Sequence, residues 1–157
     1  MTQKGARPGP PGPGFMQAAL DQARAAAARG EVPIGAVLVC EGAVLAADGN
    51  RTREQADPTA HAEMLVLRAG AARLGTDRLS ACDLYVSLEP CTMCAGAIAW
   101  ARLRRLYYAA ADPKGGAVES GVRFFSQPTC HHRPEIYGGL GETEAAALLR
   151  GFFRERR

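Results

Sequence analysis

A chain of 157 residues, of which 47% are apolar, is long enough to bury the core of one domain and too short for a second domain of ordinary size. The net charge of +3 is unevenly distributed: residues 1–100 carry 9 Lys and Arg against 10 Asp and Glu, whereas residues 101–157 carry 10 against 6. The basic last third suits a polyanionic partner such as RNA, and a solvated basic surface explains the same pattern equally well.

Other features exclude whole classes of protein. Five cysteines are an odd number and no secretory signal is recognisable, so a disulfide framework is not expected. No run of about 18 apolar residues occurs, so no segment is expected to span a membrane. Residues 1–14 interleave Pro with Gly and predict a disordered leader, which leaves residues 15–157 as the folded domain. Together these features predict a protein of the reducing cytoplasm.

The first part of the chain predicts a helix followed by a β-hairpin. Apolar residues recur at helical spacing over 15–29, and Gly30 is placed to end that helix. The β-branched run over 33–40 predicts a strand. Glu41-Gly42 can form a tight turn, and residues 43–48 return as a second strand, which the short separation makes antiparallel to the first.

Helices and strands alternate in the rest of the chain. In order, the patterns predict a helix over 61–74, a strand over 82–88, a helix over 91–102, a strand over 104–110 and a helix over 143–154. The segment 117–139 is ambiguous, with room for one short helix. Strands joined through helices run parallel, so we expect an α/β fold with a mixed sheet of four or five strands and helices on both faces.

Three residues at two predicted helix starts have the spacing and chemistry of a metal site. Cys91 and Cys94 share one face of a first turn, where the helix dipole favours the thiolate that binds zinc. On this spacing alone, a thioredoxin-like redox pair is the alternative. His61 begins the other helix, at the same end of a βαβ-like unit. One nitrogen and two sulfur ligands leave the fourth position of zinc open, as in catalytic sites, whereas Cys82, which could close it, is expected at the far end of its strand.

Glu63 is the candidate for proton transfer. It follows His61 by two residues, so it points to a different side of the helix and is not expected to bind the same ion. From the first turn it can lean over a metal-bound water, whose pKa zinc lowers from about 15.7 toward neutrality, so that hydroxide is available. The carboxylate can pass the water's proton to a ring nitrogen and then to a leaving amine. An ordinary first-turn glutamate that interacts with the helix dipole is the alternative.

The combination of His61-Ala-Glu63 with Pro90-Cys-Thr-Met-Cys94 is the signature of the zinc nucleobase deaminases. Longer strings resemble the bacterial tRNA-specific adenosine deaminases, of the cytidine and deoxycytidylate deaminase family, and the similarity extends from Phe15 to the C-terminus. These strings are Arg29–Val39, Gly49–Arg51, Asp57–Glu63, Leu88–Ile98 and Asp112–Ala117. The resemblance implies a cytidine deaminase-like three-layer α/β/α fold and a homodimer with one Zn²⁺ per subunit. It also implies hydrolytic conversion of the wobble adenosine of a tRNA anticodon, with tRNA(Arg) as the expected substrate, to inosine.

Asn50 is the candidate for holding the base, because it follows the second strand in a Gly-Asn-Arg loop and its amide both donates and accepts hydrogen bonds. The resemblance supports this role, and a plain turn residue is the alternative. One string departs from the family. Its usual Asn-His-Arg is replaced by His131-His132-Arg133, which leaves open whether His131 makes the contact of its counterpart.

Further candidates suit the rest of an anticodon loop, which is unpaired and binds through cations and stacking. Lys114, beside Gly115-Gly116, is a candidate phosphate contact, and by resemblance Asp112 approaches the ribose or the backbone. The last helix adds basic candidates on one face: Arg150, Arg154 and Arg157. Solvated surface charge explains each of these residues equally well.

Two other functions share parts of this pattern. A free-base deaminase acting on guanine or cytosine has the same two short motifs but no need of the Asp112–Gly116 loop or the basic tail. A non-catalytic, zinc-stabilised RNA-binding module needs the three ligands but not Glu63.

Overall fold

The computed structural model describes residues 13–156, and its first helix, α1 (Pro13–Ala28), begins inside the predicted leader. Proline suits the first turn of a helix, where an N–H group has no intrahelical partner. Pro13 and Gly14 therefore belong to the helix, which corrects the expected start at Phe15. Residues 1–12, the rest of the predicted leader, lie outside the described residues, and the division into leader and domain stays a prediction.

The remaining elements follow the predicted alternation. In chain order they are β1 (Gly35–Cys40), β2 (Ala43–Gly49), α2 (Ala62–Leu74), β3 (Cys82–Leu88), α3 (Thr92–Ala101), β4 (Arg105–Ala110), a short 3-10 helix (Phe124–Ser126), β5 (Glu135–Gly138) and α4 (Glu142–Glu155). The 3-10 helix occupies the segment that had room for one short helix. The strand β5, in the same segment, was not predicted.

The five strands form one mixed sheet in the order β2-β1-β3-β4-β5. β1 pairs antiparallel with both β2 and β3, whereas β3, β4 and β5 run parallel. These pairings confirm the hairpin and the parallel arrangement of the later strands. β5 escaped prediction because it is a four-residue edge strand with mostly exposed side chains, so it shows no apolar alternation.

Helices cover both faces of the sheet, which confirms the three-layer α/β/α architecture. Successive strand residues point to opposite faces. The face that carries Leu38 and Leu84 packs against α2 and α3, and the face that carries Val37 and Tyr85 packs against α1 and α4. Within residues 13–156, no helix is both long and apolar enough to cross a membrane.

The topology brings several loops together at one end of the sheet. The carboxyl ends of the parallel strands β3 and β4 lie there, together with the start of β1 and the end of β2. Gly35 marks this end, because its N–H group donates to the Ser87 hydroxyl at 3.0 Å. A side chain at Gly35 would stand 2.0 Å from the Ala19 carbonyl oxygen, so glycine lets α1 pack closely on the sheet. Ligands of α/β proteins bind beyond the carboxyl ends of such strands.

Candidate metal centre and active site

A cluster of metal-ligating side chains forms where α2 and α3 begin. His61 and Cys91 are the extended residues immediately before these two helices, and Cys94 lies in the first turn of α3. Neither His61 nor Cys91 caps its helix with its side chain. Both cysteine sulfur atoms lie 3.6 Å from Nδ1 of His61, and the three donor atoms lie within 4.8 Å of one another.

These distances fit a single zinc ion. A nitrogen ligand at about 2.1 Å and a sulfur ligand at about 2.3 Å from tetrahedral zinc are about 3.6 Å apart. This is the separation between His61 and each of the two sulfur atoms. Three protein ligands leave a fourth position for water or substrate, as in catalytic zinc sites. The structure thus brings the predicted triad together in an arrangement that suits a metal.

The two cysteines and His61 shift one another's pKa values. A hydrogen bond from the Cys94 thiol, together with the contact to His61, lowers the pKa of Cys91 to about 4. The contact with Cys91 raises the pKa of Cys94, and the hydrogen bond to Cys91 raises the pKa of His61. Because zinc binds cysteine as the thiolate, a zinc ion at this cluster would displace protons from it.

Glu63 lies in the first turn of α2 beside the cluster without being one of the clustered donors. Its side chain is only 4% exposed, and burial raises the pKa of its carboxyl. The carboxyl contacts Cys94. A buried carboxyl beside a cluster of possible metal ligands suits proton transfer at that cluster.

Asn50 lies next to the same helix start. It is 6% exposed, and its Oδ1 accepts the backbone N–H group of Ala62 at 2.9 Å. Its own N–H donates to the Ile34 carbonyl at 3.0 Å, so Asn50 ties the end of β2 to both α2 and the loop before β1. The oxygen of the amide that was expected to hold the base therefore accepts a hydrogen bond within the protein. Among residues 13–156, Nδ2 has no hydrogen-bond acceptor.

Two buried glutamates that the sequence did not single out hold the loops around the cluster. Glu31 is 2% exposed and accepts the backbone N–H groups of Arg53 and Glu54 at 3.1 and 3.0 Å. Glu89, also 2% exposed, accepts donors from the segment 112–120 through both carboxylate oxygens. Their position in the sequence could have indicated this role, because each glutamate lies close to a buried strand and within two residues of a proline.

The loop that follows β4 presents Lys114 to solvent. Asp112 accepts the N–H groups of Lys114 and Gly115 with Oδ1, at 3.1 and 3.0 Å, so one of its two carboxylate oxygens shapes the loop. An open cavity of about 520 Å³ lies between this loop and α4, and Lys114, Leu88 and Phe153 are among the residues that line it.

The helix α4 carries the other basic candidates beside this cavity. Arg150 and Arg154 are exposed, and they line a neighbouring cavity together with Leu149 and Phe153, which also line the first one. The structure therefore places these arginines near the Lys114 loop. Arg157 lies outside the described residues.

Two residues considered in the sequence lie apart from the cluster. Cys82 is fully buried at the far end of β3, directly opposite Cys40 in the sheet, and burial raises its pKa to about 12. His131 packs against Trp100 with ring centroids 4.3 Å apart, near the end of α3 that is remote from Cys91. Neither residue belongs to the metal cluster.

Fold and site together define a deaminase. Residues 14–157 match the sequence model of the MafB19-like deaminases, and the chain belongs to this family. The tRNA-specific adenosine deaminase of Agrobacterium fabrum is 66% identical over 143 residues, which cover 91% of this chain and 94% of that protein. A solved structure from a study of A-to-I editing by tRNA:A34 deaminases at the wobble position of transfer RNA is 65% identical with a TM-score of 0.86. That match covers 87% of this chain and 99% of the other.

A less similar solved structure shares the fold. The guanine deaminase from Nitrosomonas europaea is 29% identical with a TM-score of 0.73, over 90% of this chain and 84% of the other. The resemblance to bacterial tRNA-specific adenosine deaminases is confirmed, because the relative at 66% identity bears that name.

Proposed function

We infer that this chain hydrolytically deaminates the wobble adenosine of a tRNA anticodon to inosine. The observation that carries the inference is the buried Glu63 beside the cluster of His61, Cys91 and Cys94, in a chain 66% identical to a tRNA-specific adenosine deaminase. We propose that the three clustered residues hold one zinc ion per chain. When bound, zinc supplies Lewis acidity, which lowers the pKa of water from about 15.7 toward neutrality.

Glu63 is proposed to move every proton of the reaction. It takes a proton from the attacking water, whose oxygen forms a bond with C6 of adenine, and delivers that proton to N1. It then takes the second proton of the same water and passes it to the amino group, so that the C6–N bond breaks and ammonia leaves. The products, inosine and ammonia, balance adenosine and one water. The burial of Glu63 keeps bulk water from competing for these protons.

Asn50 is proposed to orient the base through its Nδ2 group alone. Its Oδ1 holds Ala62 in place next to His61. The free amide group can donate to a ring nitrogen of the purine, while the engaged oxygen fixes the direction of that donor. Asn50 thus couples base recognition to the helix start that carries the metal ligand.

The RNA around the base is proposed to lie along the Asp112–Gly116 loop and α4. Lys114, Arg150 and Arg154 are exposed cations at one surface, as a phosphate backbone requires, and the second oxygen of Asp112 is available to the ribose. An unpaired anticodon loop lets the target base leave the stack at little cost. A free purine base would need none of these cations.

The finer assignments rest on the resemblance. We propose tRNA(Arg) as the substrate, the cytoplasm as the location and a homodimer as the functional form. The side chain of Trp100 is 71% exposed where it packs against His131, which is consistent with an aromatic contact in such an interface. Light scattering of the purified chain, with Trp100→Ser as the comparison, tests the dimer.

The experiment that tests the function is inosine detection on a synthetic tRNA(Arg) anticodon stem-loop. Wild type should form inosine, and Glu63→Ala should keep zinc and fold while turnover falls by about 10²–10⁴-fold. No inosine with either protein, while Glu63→Ala keeps its zinc and binds the stem-loop as tightly as the wild type, would favour the non-catalytic RNA-binding module. Turnover of free guanine or cytosine without action on the stem-loop would favour the free-base deaminase.

A further inference from the structure

Glu89 accepts more hydrogen bonds than any other side chain among residues 13–156. Its Oε1 accepts the N–H group of Asp112 at 3.0 Å and the hydroxyl of Ser120 at 2.9 Å. Its Oε2 accepts three consecutive N–H groups, those of Val118, Glu119 and Ser120, each at 3.0 Å. The carboxylate is 2% exposed and binds both ends of the segment 112–120, which we name the cradle loop.

Backbone dipoles, rather than a basic side chain, compensate this buried charge. None of the arginines, lysines or histidines of residues 13–156 lies in ion-pairing distance of Glu89. Consecutive N–H groups that converge on one oxygen form a concave anion site, and bonds to a charged acceptor are stronger than neutral ones. Within residues 13–156 these donors have no other acceptor, so the conformation of the loop depends on the carboxylate.

The cradle loop is shaped to approach Glu89 closely. A Cβ atom at Gly116 would stand 2.5 Å from Cδ of Glu89 and 2.5 Å from the Asp112 carbonyl oxygen, so only glycine fits there. The N–H group of Ala117 donates to the Pro90 carbonyl at 2.9 Å. The loop is therefore fastened both to Glu89 and to the residue that follows it in the chain.

This fastening links the loop to the metal cluster. Glu89 is two residues before Cys91, and Pro90 restricts the backbone between them. Asp112 and Lys114, at the start of the cradle loop, are thereby held at a set position relative to the start of α3. We propose that Glu89 is a positioning residue that fixes the cradle loop against the metal centre and so sets where RNA lies relative to the reacting base. The part that concerns RNA rests on the proposed function.

Limited trypsin digestion tests the fastening without any substrate. In Glu89→Gln the amide group faces N–H donors that need an acceptor, so the loop should open and the Lys114–Gly115 bond should be cut roughly tenfold faster than in the wild type. Asp83→Asn is the matched control, because it changes a buried carboxylate at the other end of the sheet. Equal cleavage at Lys114 in the wild type and Glu89→Gln, with mass spectrometry to identify the site, would overturn the proposal.

Steady-state kinetics on the anticodon stem-loop tests the consequence for RNA. Glu89→Gln should keep its zinc and raise KM roughly tenfold while kcat changes much less, because the chemistry of Glu63 is untouched. A variant that merely lost folded protein would lower apparent kcat at constant KM, and that result would overturn the positioning role. Asp83→Asn should retain the wild-type KM.

Two variants within the cradle loop test the same contact without changing Glu89, and Ser120→Ala is the milder of the two. Ser120→Ala removes one of the donors to Oε1 and should shift Lys114 cleavage and KM in the same direction by a few-fold. Gly116→Ala disturbs the contact from the loop side and should shift both more strongly. A wild type without stem-loop activity would refute the proposed function alone, since Lys114 cleavage still decides whether Glu89 holds the loop.

Discussion

The two ends of the sheet hold their buried carboxylates in different ways. At the metal end, Glu31 and Glu89 are bonded mainly by main-chain N–H groups. At the opposite end, Asp83 of β3 is 5% exposed and is bonded by side chains. Arg104 donates to its two oxygens at 3.0 and 2.9 Å, and Nη1 of Arg105 lies 3.7 Å away.

The type of donor decides what a buried carboxylate does: it either fixes a loop or balances the charge of neighbouring arginines. Main-chain donors are part of a loop, so the carboxylate that they surround determines the course of that loop. Arginine donors stand at the tips of flexible side chains, so Asp83 reduces local positive charge and leaves the main chain in its strand ladder. Loops are fixed where substrate is proposed to bind. Charge is balanced where several arginines, Arg104 and Arg105 among them, line a third cavity at the opposite end of the sheet.

The largest expected effect compares one buried cysteine from each end. Cys94→Ala removes a proposed metal ligand, so zinc content should fall close to zero. Inosine formation should fall by more than the roughly 10²–10⁴-fold that loss of proton transfer alone costs. Cys82→Ala removes an equally buried thiol from the far end of β3 and should leave zinc and turnover unchanged. Metal analysis and the inosine assay measure both variants, and equal zinc loss in Cys82→Ala would mean that zinc retention depends on the buried core in general and not on ligation at the helix starts.

The next effect is on folding stability at the metal end. Glu31→Gln replaces one acceptor oxygen by an amide group that faces the N–H group of Arg53 or Glu54, so one buried donor loses its partner. The free energy of unfolding should fall by about 1–3 kcal/mol. Urea denaturation followed by circular dichroism measures it, with the exposed Glu41→Gln as the control. If Glu31→Gln and Glu41→Gln unfold with the same free energy, the hydrogen bonds of Glu31 do not stabilise the loop.

Sequence patterns predicted the metal cluster more completely than the loops around it, for a physical reason. His61, Cys91 and Cys94 carry the chemistry in their own side chains and lie at helix starts, which are local patterns. Glu31 and Glu89 act on main-chain N–H groups 22 to 31 residues away, and such donors leave no mark in side-chain composition. The inner strands of the sheet were predictable because they are buried and largely apolar, and β5 was not because it is short and exposed.

The hydrogen bonds of Asn50 were also only partly predictable, because one of them involves a main-chain group. Its residue type and its loop predicted a polar group near the base. The division of its amide was not predictable, because Oδ1 bonds to an N–H group that any residue at position 62 would supply. Local sequence therefore indicates which side chain is available, whereas the fold decides which of its atoms remain free.

A smaller effect is expected at the arginine-held end. Asp83→Asn keeps one oxygen acceptor for Arg104, whose side chain is 44% exposed, and Arg105 keeps its bond to Glu135 at 2.6 Å. The free energy of unfolding should fall by about 1 kcal/mol or less, and the loss should shrink at high salt because screening weakens the ion pair in the wild type. Urea denaturation at low and high ionic strength measures this. A loss as large as that of Glu31→Gln would break the distinction between the two ends.

The smallest expected effect concerns Asp57, a half-buried carboxylate at the metal end that accepts hydrogen bonds within its own turn. The hydroxyl and N–H groups of Thr59 both donate to Asp57, at 2.7 and 2.8 Å, and hold the pKa of Asp57 below its ordinary value of 3.8. A depressed pKa means that the ionised form stabilises the fold above pH 3.8, and that this contribution is lost as the pH falls below it. The Tm difference between the wild type and Asp57→Asn should therefore be largest near neutral pH and should shrink in acid. Metal release at low pH lowers both Tm values alike, so the difference isolates Asp57. A difference that grows in acid would mean that Thr59 stabilises the neutral carboxyl, and that main-chain donors at this end do not all act on charge.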